Sequence, residues 1–176
     1  MASPQDIKQS EETNVTAVIE VSSFSEVEGV LHSMQQSWGE NVIVCLDIDD
    51  TVLTSPSELP TDEFVVDWIN SLAQRGITCM FLTSRSRFSH QETLAALVGV
   101  GVEQPLIHYA RVLASSGLMR IPDLDTDKGA YFKECIGLPE GHVLLFVDDD
   151  IANLRSMARA YGSRVRLVQY ARDASP

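Results

Sequence analysis

Two groups of carboxylates have the type and spacing to do chemistry: Asp47-Ile48-Asp49-Asp50-Thr51 and Asp148-Asp149-Asp150. Either group alone reads equally well as a solvated turn or a helix cap, because Asp favours both. Each, however, follows an apolar β-rich run, Val42 to Leu46 or Val143 to Val147, and so sits at the end of an expected buried strand. If neighbouring parallel strands bring the groups together, like charges share one small site, and each disfavours the others' ionisation unless a cation neutralises them. A hard divalent metal with oxygen ligands meets that need, and magnesium suits a site where a substrate phosphate completes the shell.

Other chemistries lack their signatures. An EF-hand loop starting at Asp47 needs Gly where Val52 stands, and Gly99-Val100-Gly101 lacks the third glycine of a phosphate-cradling loop. There is no GxSxG. Cys45, Cys79 and Cys135 form no CxxC pair, which argues against zinc and a disulfide framework and reads as buried reduced thiols. His32, His90, His108 and His142 are scattered and read as surface or capping residues.

The elements that must position the carboxylates alternate along the chain. Val15 to Val21 reads as a strand, and Phe24 to Trp38 as a helix, with Phe24, Val27, Leu31 and Met34 at helical spacing and Ser23 as N-cap. After the strand Val42 to Leu46 comes a Ser/Pro-rich turn, Thr54 to Pro60, then a helix from about Asp62 to Gln74, stopped by Gly76. Ile77 to Leu82 reads as a buried strand leading into Thr83-Ser84-Arg85 and a helix from about His90 to Val98. Leu106 to Tyr109, Val143 to Val147 and Val165 to Tyr170 are further strands, with helices at Lys128 to Ile136 and Ile151 to Tyr161. The pattern predicts an α/β fold, a Rossmann-like three-layer α/β/α sandwich around a mostly parallel sheet. In such sheets ligands bind beyond the carboxyl ends of the strands, where Asp47, Thr83 and Asp148 are expected.

The chain has 176 residues, 44% of them hydrophobic, which is enough for one full core. Its formal charge of -12 would repel a phosphate backbone, so no nucleic-acid partner is expected. Residues 1–14 are polar and read as a flexible segment without the features of a signal peptide; no apolar run reaches transmembrane length. The expected address is cytoplasmic, with no membrane partner.

Four segments resemble, in order, the motifs of the haloacid dehalogenase superfamily. Val44-Cys45-Leu46-Asp47-Ile48-Asp49-Asp50-Thr51-Val52-Leu53 is similar to an apolar strand closing on DxDxT; Cys79-Met80-Phe81-Leu82-Thr83 is similar to the second motif, Lys128 to the third, and Val143 to Val147 with Asp148-Asp149 to the fourth. The resemblance spans residues 42–170 as a catalytic core, with 15–41 an N-terminal extension packed on it and 171–176 a tail. It implies a magnesium-dependent phosphomonoester hydrolase working through an aspartyl-phosphate. Asp47 would be the nucleophile and Asp49 the general acid and base; Thr83 would bind a phosphate oxygen, and Lys128 would offset the charge on Asp47 and the transferring group. Magnesium would be held by Asp47, Asp148 and the backbone carbonyl of Asp49, with Asp149 orienting its water.

Asp50 departs from the family, where Gly or Asn is common. The gaps between motifs leave room only for a short insertion around Ala110 to Asp125. A cap-free or minimally capped enzyme follows, suited to a bulky phosphorylated substrate or relying on a partner subunit in an oligomer to close its cleft. Two rivals stand beside this reading. One is a non-catalytic binding or effector module of the same fold. The other is a receiver-like phosphoacceptor domain, whose motif order differs and which has no counterpart of Asp49.

Overall fold

Continuous aliphatic runs bury both faces only in the interior of a sheet. In the computed structural model, which describes residues 16–111 and 127–171, they take that place. Strands β2 (Val42–Leu46) and β5 (Val143–Asp148) are buried at every position and pair in parallel, with Leu46 opposite Val147. Strand β3 (Cys79–Ser86) flanks β2, and β6 (Val165–Tyr170) flanks β5. The edges are β1 (Val18–Val21) beside β6 and β4 (Ile107–Arg111) beside β3, giving the order β1-β6-β5-β2-β3-β4 with every pairing parallel. The chain thus leaves β2 towards β3 on one side and returns to β5 on the other. That reversal opens a crevice at the carboxyl ends of β2 and β5.

Strand alternation builds two cores. Val42, Val44, Leu46, Val143, Leu145 and Val147 face helices α1 (Phe24–Trp38), α2 (Val65–Gln74) and α3 (His90–Gly99), which supply Phe24, Leu31, Trp68, Leu72 and Leu97. Ile43, Cys45, Leu144 and Phe146 face the other way, towards Phe132, just after α4 (Lys128–Tyr131), and Leu154 and Met157 of α5 (Ile151–Tyr161). A six-stranded parallel sheet between two helical layers is the Rossmann-like sandwich expected. Among the described residues, no helix is long and apolar enough to cross a membrane.

Several boundaries differ from the sequence expectation for local reasons. Helix α2 begins at Val65 rather than Asp62, because the Asp62 carboxylate accepts the N–H of Phe64 at 2.7 Å and of Phe24 at 3.0 Å, forming a turn tied to α1. Strand β3 runs on to Ser86, since pairing with β4 continues through Thr83 opposite Tyr109 and, after a register shift, Ser86 opposite Arg111. The strand thus carries Thr83, expected at its end, and continues through Arg85. The helix starting at Lys128 is α-helical for four residues and widens into a π-turn over Phe132–Ile136. Residues 18–38, in the expected N-terminal extension, supply an edge strand of the sheet and five core residues, Val21, Phe24, Val27, Leu31 and Met34. The expected flexible segment 1–14, most of the insertion around Ala110 to Asp125, and the tail beyond 171 lie outside the described residues.

Candidate functional site

Asp47 continues the alternation of Ile43 and Cys45, and Asp148 that of Leu144 and Phe146, so both carboxylates turn towards the α4–α5 layer. The Asp47 N–H still donates to the Val147 carbonyl at 2.9 Å, which fixes the two strand ends side by side. Lys128 enters from the first turn of α4. Its Nζ donates to Asp47 Oδ1 at 2.5 Å and to Asp148 Oδ2 at 2.7 Å. Exposure is 5% for Asp47, 1% for Lys128 and 0% for Asp148.

Lys128 reaches this position because α4 packs very close to α5. Gly129 carries no Cβ, and one added there would lie 2.2 Å from the Ser156 carbonyl oxygen. The Gly129 N–H donates to Ser156 Oγ at 3.0 Å, and Asp127 caps the helix by accepting the N–H of Ala130 at 2.9 Å.

Two acids face one ammonium in a dry site. Burial disfavours the Lys128 charge, but Asp47 and Asp148 outweigh it and hold its pKa up at about 12. Burial pushes Asp47 up to about 7, against the pull of Lys128 and with the help of Asp148. Asp149 is raised to about 6, by burial first and by Asp148 second. Carboxylate oxygens of Asp47, Asp148 and Asp149 all lie within 4.8 Å of one another. Opposite ligands of an octahedral magnesium stand about 4.2 Å apart, so small side-chain rotations would close this oxygen set on such an ion. Excess buried negative charge and hard donors fit a divalent cation.

The other expected residues lie differently. The Asp49 carboxylate is turned away from this cluster to Arg85, whose Nε donates to Oδ1 at 3.1 Å and Oδ2 at 3.0 Å and whose Nη2 donates to Oδ1 at 2.7 Å. Thr83, with its hydroxyl, is fully buried in β3, the strand beside β2. That oxygen accepts the N–H of Arg85 at 3.0 Å. Asp149, expected beyond the metal ligands, contributes its carboxylate to the acidic cluster itself. Asp50 is exposed and has φ +56°, a left-handed conformation that Gly and Asn adopt most readily, and its carboxylate accepts the N–H of Ser55 at 2.9 Å. Asp150 caps α5 through the N–H of Ala152 at 2.8 Å.

Three residues at the site were not singled out from sequence. Asn153 donates from Nδ2 to both oxygens of Asp148, at 3.0 and 3.1 Å, and Thr51 Oγ1 accepts the N–H of Asp149 at 3.0 Å. The third is Arg85. Asn153 had a readable signal, being the third helical residue after the cap Asp150, where a side chain can turn back to the strand end. The chain matches no family profile and no curated protein, so the likeness to a family rests on the motifs alone.

Proposed function

We propose that the chain is a magnesium-dependent phosphohydrolase of the haloacid dehalogenase type, acting on a phosphomonoester. The observation that carries this reading is the buried Asp47–Lys128–Asp148 bridge across adjacent parallel strand ends, with Asp149 beside it. A buried ammonium held between two carboxylates, with a third within reach, is costly as mere scaffolding. It suits a place where negative charge arrives and is transferred.

In this reading Asp47 Oδ attacks phosphorus, and the bond to the leaving oxygen breaks as Asp49 gives that oxygen a proton. The Asp49 carboxylate then takes a proton from water as the water oxygen attacks phosphorus. The Asp47–phosphorus bond breaks, releasing orthophosphate and regenerating the carboxylate. Lys128 holds Asp47 in line and offsets the charge of the transferring group, while Asn153 and the Asp150 N–H orient Asp148. Asp47, Asp148 and Asp149 would hold the magnesium ion, which would supply positive charge that keeps buried Asp47 ionised and offsets the charge of the phosphoryl group.

A non-catalytic module of the same fold is the second reading, favoured by one contact: Arg85 occupies both oxygens of Asp49. A single experiment separates the two. Purified protein with magnesium should hydrolyse a generic aryl phosphate, whose good leaving group needs little help from specific contacts. Asp47→Asn should abolish that turnover with the melting transition retained. Absence of turnover on aryl, sugar, nucleotide, lipid and peptide phosphates, together with no beryllium fluoride adduct at Asp47, would hand the chain to the binding-module reading.

A further inference from the structure

Arg85 takes no part in the chemistry above, yet its guanidinium bridges Asp49 and the turn over residues 54–60. Its Nε and Nη2 grip Asp49, and its Nη1 donates to Glu58 Oε1 at 3.1 Å. The side chain is only 17% exposed, less than the 37% of Asp49 and 46% of Glu58. Both anchors are firmly set. The Arg85 backbone is tied to Thr83, and the turn is closed by Thr54, whose carbonyl accepts the N–H of Glu58 at 2.7 Å and whose hydroxyl accepts that of Leu59 at 3.2 Å.

While both its oxygens are held, the Asp49 carboxylate cannot serve a leaving oxygen at the Asp47 end of the site. A planar guanidinium binds phosphate with the same forked geometry as carboxylate, and a phosphoryl dianion offers it more charge. We infer that Arg85 trades partners when substrate arrives: it releases Asp49 and takes up a phosphoryl oxygen, while Glu58 keeps its far end in place. Binding of the phosphoryl group and freeing of the general acid and base are then one event. This rests on the phosphohydrolase reading for its role in turnover, but not for the exchange of anions itself.

The exchange can be watched in the full-length chain. In Asp47→Asn protein with magnesium, where no phosphoryl transfer can occur, the Arg85 Nε–H resonance, assigned by its loss in Arg85→Lys, should move on titration with orthophosphate. In kinetics on an aryl phosphate, Arg85→Gln should raise KM about tenfold or more with a smaller change in kcat, and Arg85→Lys should recover part of the loss. A merely structural arginine would lower the amount of folded protein and leave KM alone. A resonance unmoved by phosphate, or a KM unchanged in both variants, overturns the exchange even if the parent is an active phosphatase. A resonance that moves in a protein without turnover keeps the exchange and discards the enzyme.

Discussion

Two three-membered ion-pair groups start from Asp47 and Asp49, on the same stretch of chain, and they are opposite in design. Around Lys128, one cation serves two acids, Asp47 and Asp148, and all three are sealed from water. Around Arg85, one cation again serves two acids, Asp49 and Glu58, but those acids are open to solvent. The ratio is the same and the energetics are not. In the first group every charge lacks hydration, so its partners are obligatory. In the second, water reaches both acids although Arg85 itself is largely buried, so each ion pair is worth less than in the first. Burial, more than the inventory of charges, separates a fixed site from a switchable one.

The largest expected effect comes from removing the sealed cation. Lys128→Met is close in volume but leaves Asp47 and Asp148 buried without a counter-charge, a loss of about 3–5 kcal/mol. Urea unfolding in the presence of a chelator would measure it. Magnesium should restore part of the loss by placing positive charge in the same cavity. A loss below about 1 kcal/mol would mean that the cluster is hydrated and the contrast with Arg85 is false.

Next comes the packing that seats Lys128. Helix propensity alone would make Gly129→Ala stabilising by roughly 0.5–1 kcal/mol. The added Cβ, however, meets backbone at 2.2 Å, and backbone cannot rotate away as a side-chain tip can. Sterics should win, costing about 1–3 kcal/mol and blunting the rise in melting temperature on adding magnesium, because α4 must shift with Lys128 on it. A more stable variant with an unchanged magnesium response would show that the α4–α5 contact does not position the lysine.

The same contrast explains what was legible beforehand. Strands such as Val42–Leu46 and Val165–Tyr170, and helices such as Phe24–Trp38 and Ile151–Tyr161, stand out because their apolar patterns are set by burial. Asp47, Lys128, Asp148 and Asp149 could be nominated for one site because acids at adjoining strand ends have few other uses and the lysine's order among the motifs is telling. Arg85 was hidden: it lies past the expected strand end at Thr83 in a polar stretch, whereas pairing with β4 keeps it in a strand. The start of α2 was misplaced because Asp62, read as helical, spends its carboxylate on two backbone N–H groups.

The sealed group should also leave a pH signature. Without metal, Asp47 and Asp149 have folded-state values of about 7 and about 6 against an ordinary 3.8, so between roughly pH 4 and 7 the folded chain binds more protons than the unfolded one. Their contribution to stability is therefore present at low pH and lost as pH rises through that window. Lys128, raised from 10.5 to about 12, contributes evenly across that window and loses its effect as pH rises from 10.5 through about 12. In chelator, Asp149→Asn should gain stability relative to the parent as pH goes from 4 to 6, read from urea midpoints. Saturating magnesium should cancel the gain, since the cation favours the ionised carboxylate. A difference between the two proteins that does not vary with pH would remove Asp149 from the sealed group.

The smallest effect belongs to the open group and tests whether its contacts are exchangeable. Glu58 is nearly half exposed, so removing its ion pair with Arg85 in Glu58→Ala should cost less than about 1 kcal/mol from that source, and less still at high salt. Its backbone, at φ +52°, is a separate burden, because a side chain is uncomfortable in the left-handed region while glycine is not. Glu58→Gly and Glu58→Ala both delete the ion pair, and only the glycine relieves the backbone. Glycine also loses more freedom on folding, which works the other way by a similar amount in ordinary conformations. At this angle the steric relief should prevail, leaving Glu58→Gly about 1 kcal/mol more stable than Glu58→Ala, with neither variant far from the parent. Urea midpoints at low and high salt give both quantities: the salt-dependent part of the change from the parent is the ion pair, and the salt-independent gap between the variants is the backbone. A loss of several kcal/mol in both variants would mean that Glu58 and Arg85 form a second fixed site rather than a switchable one.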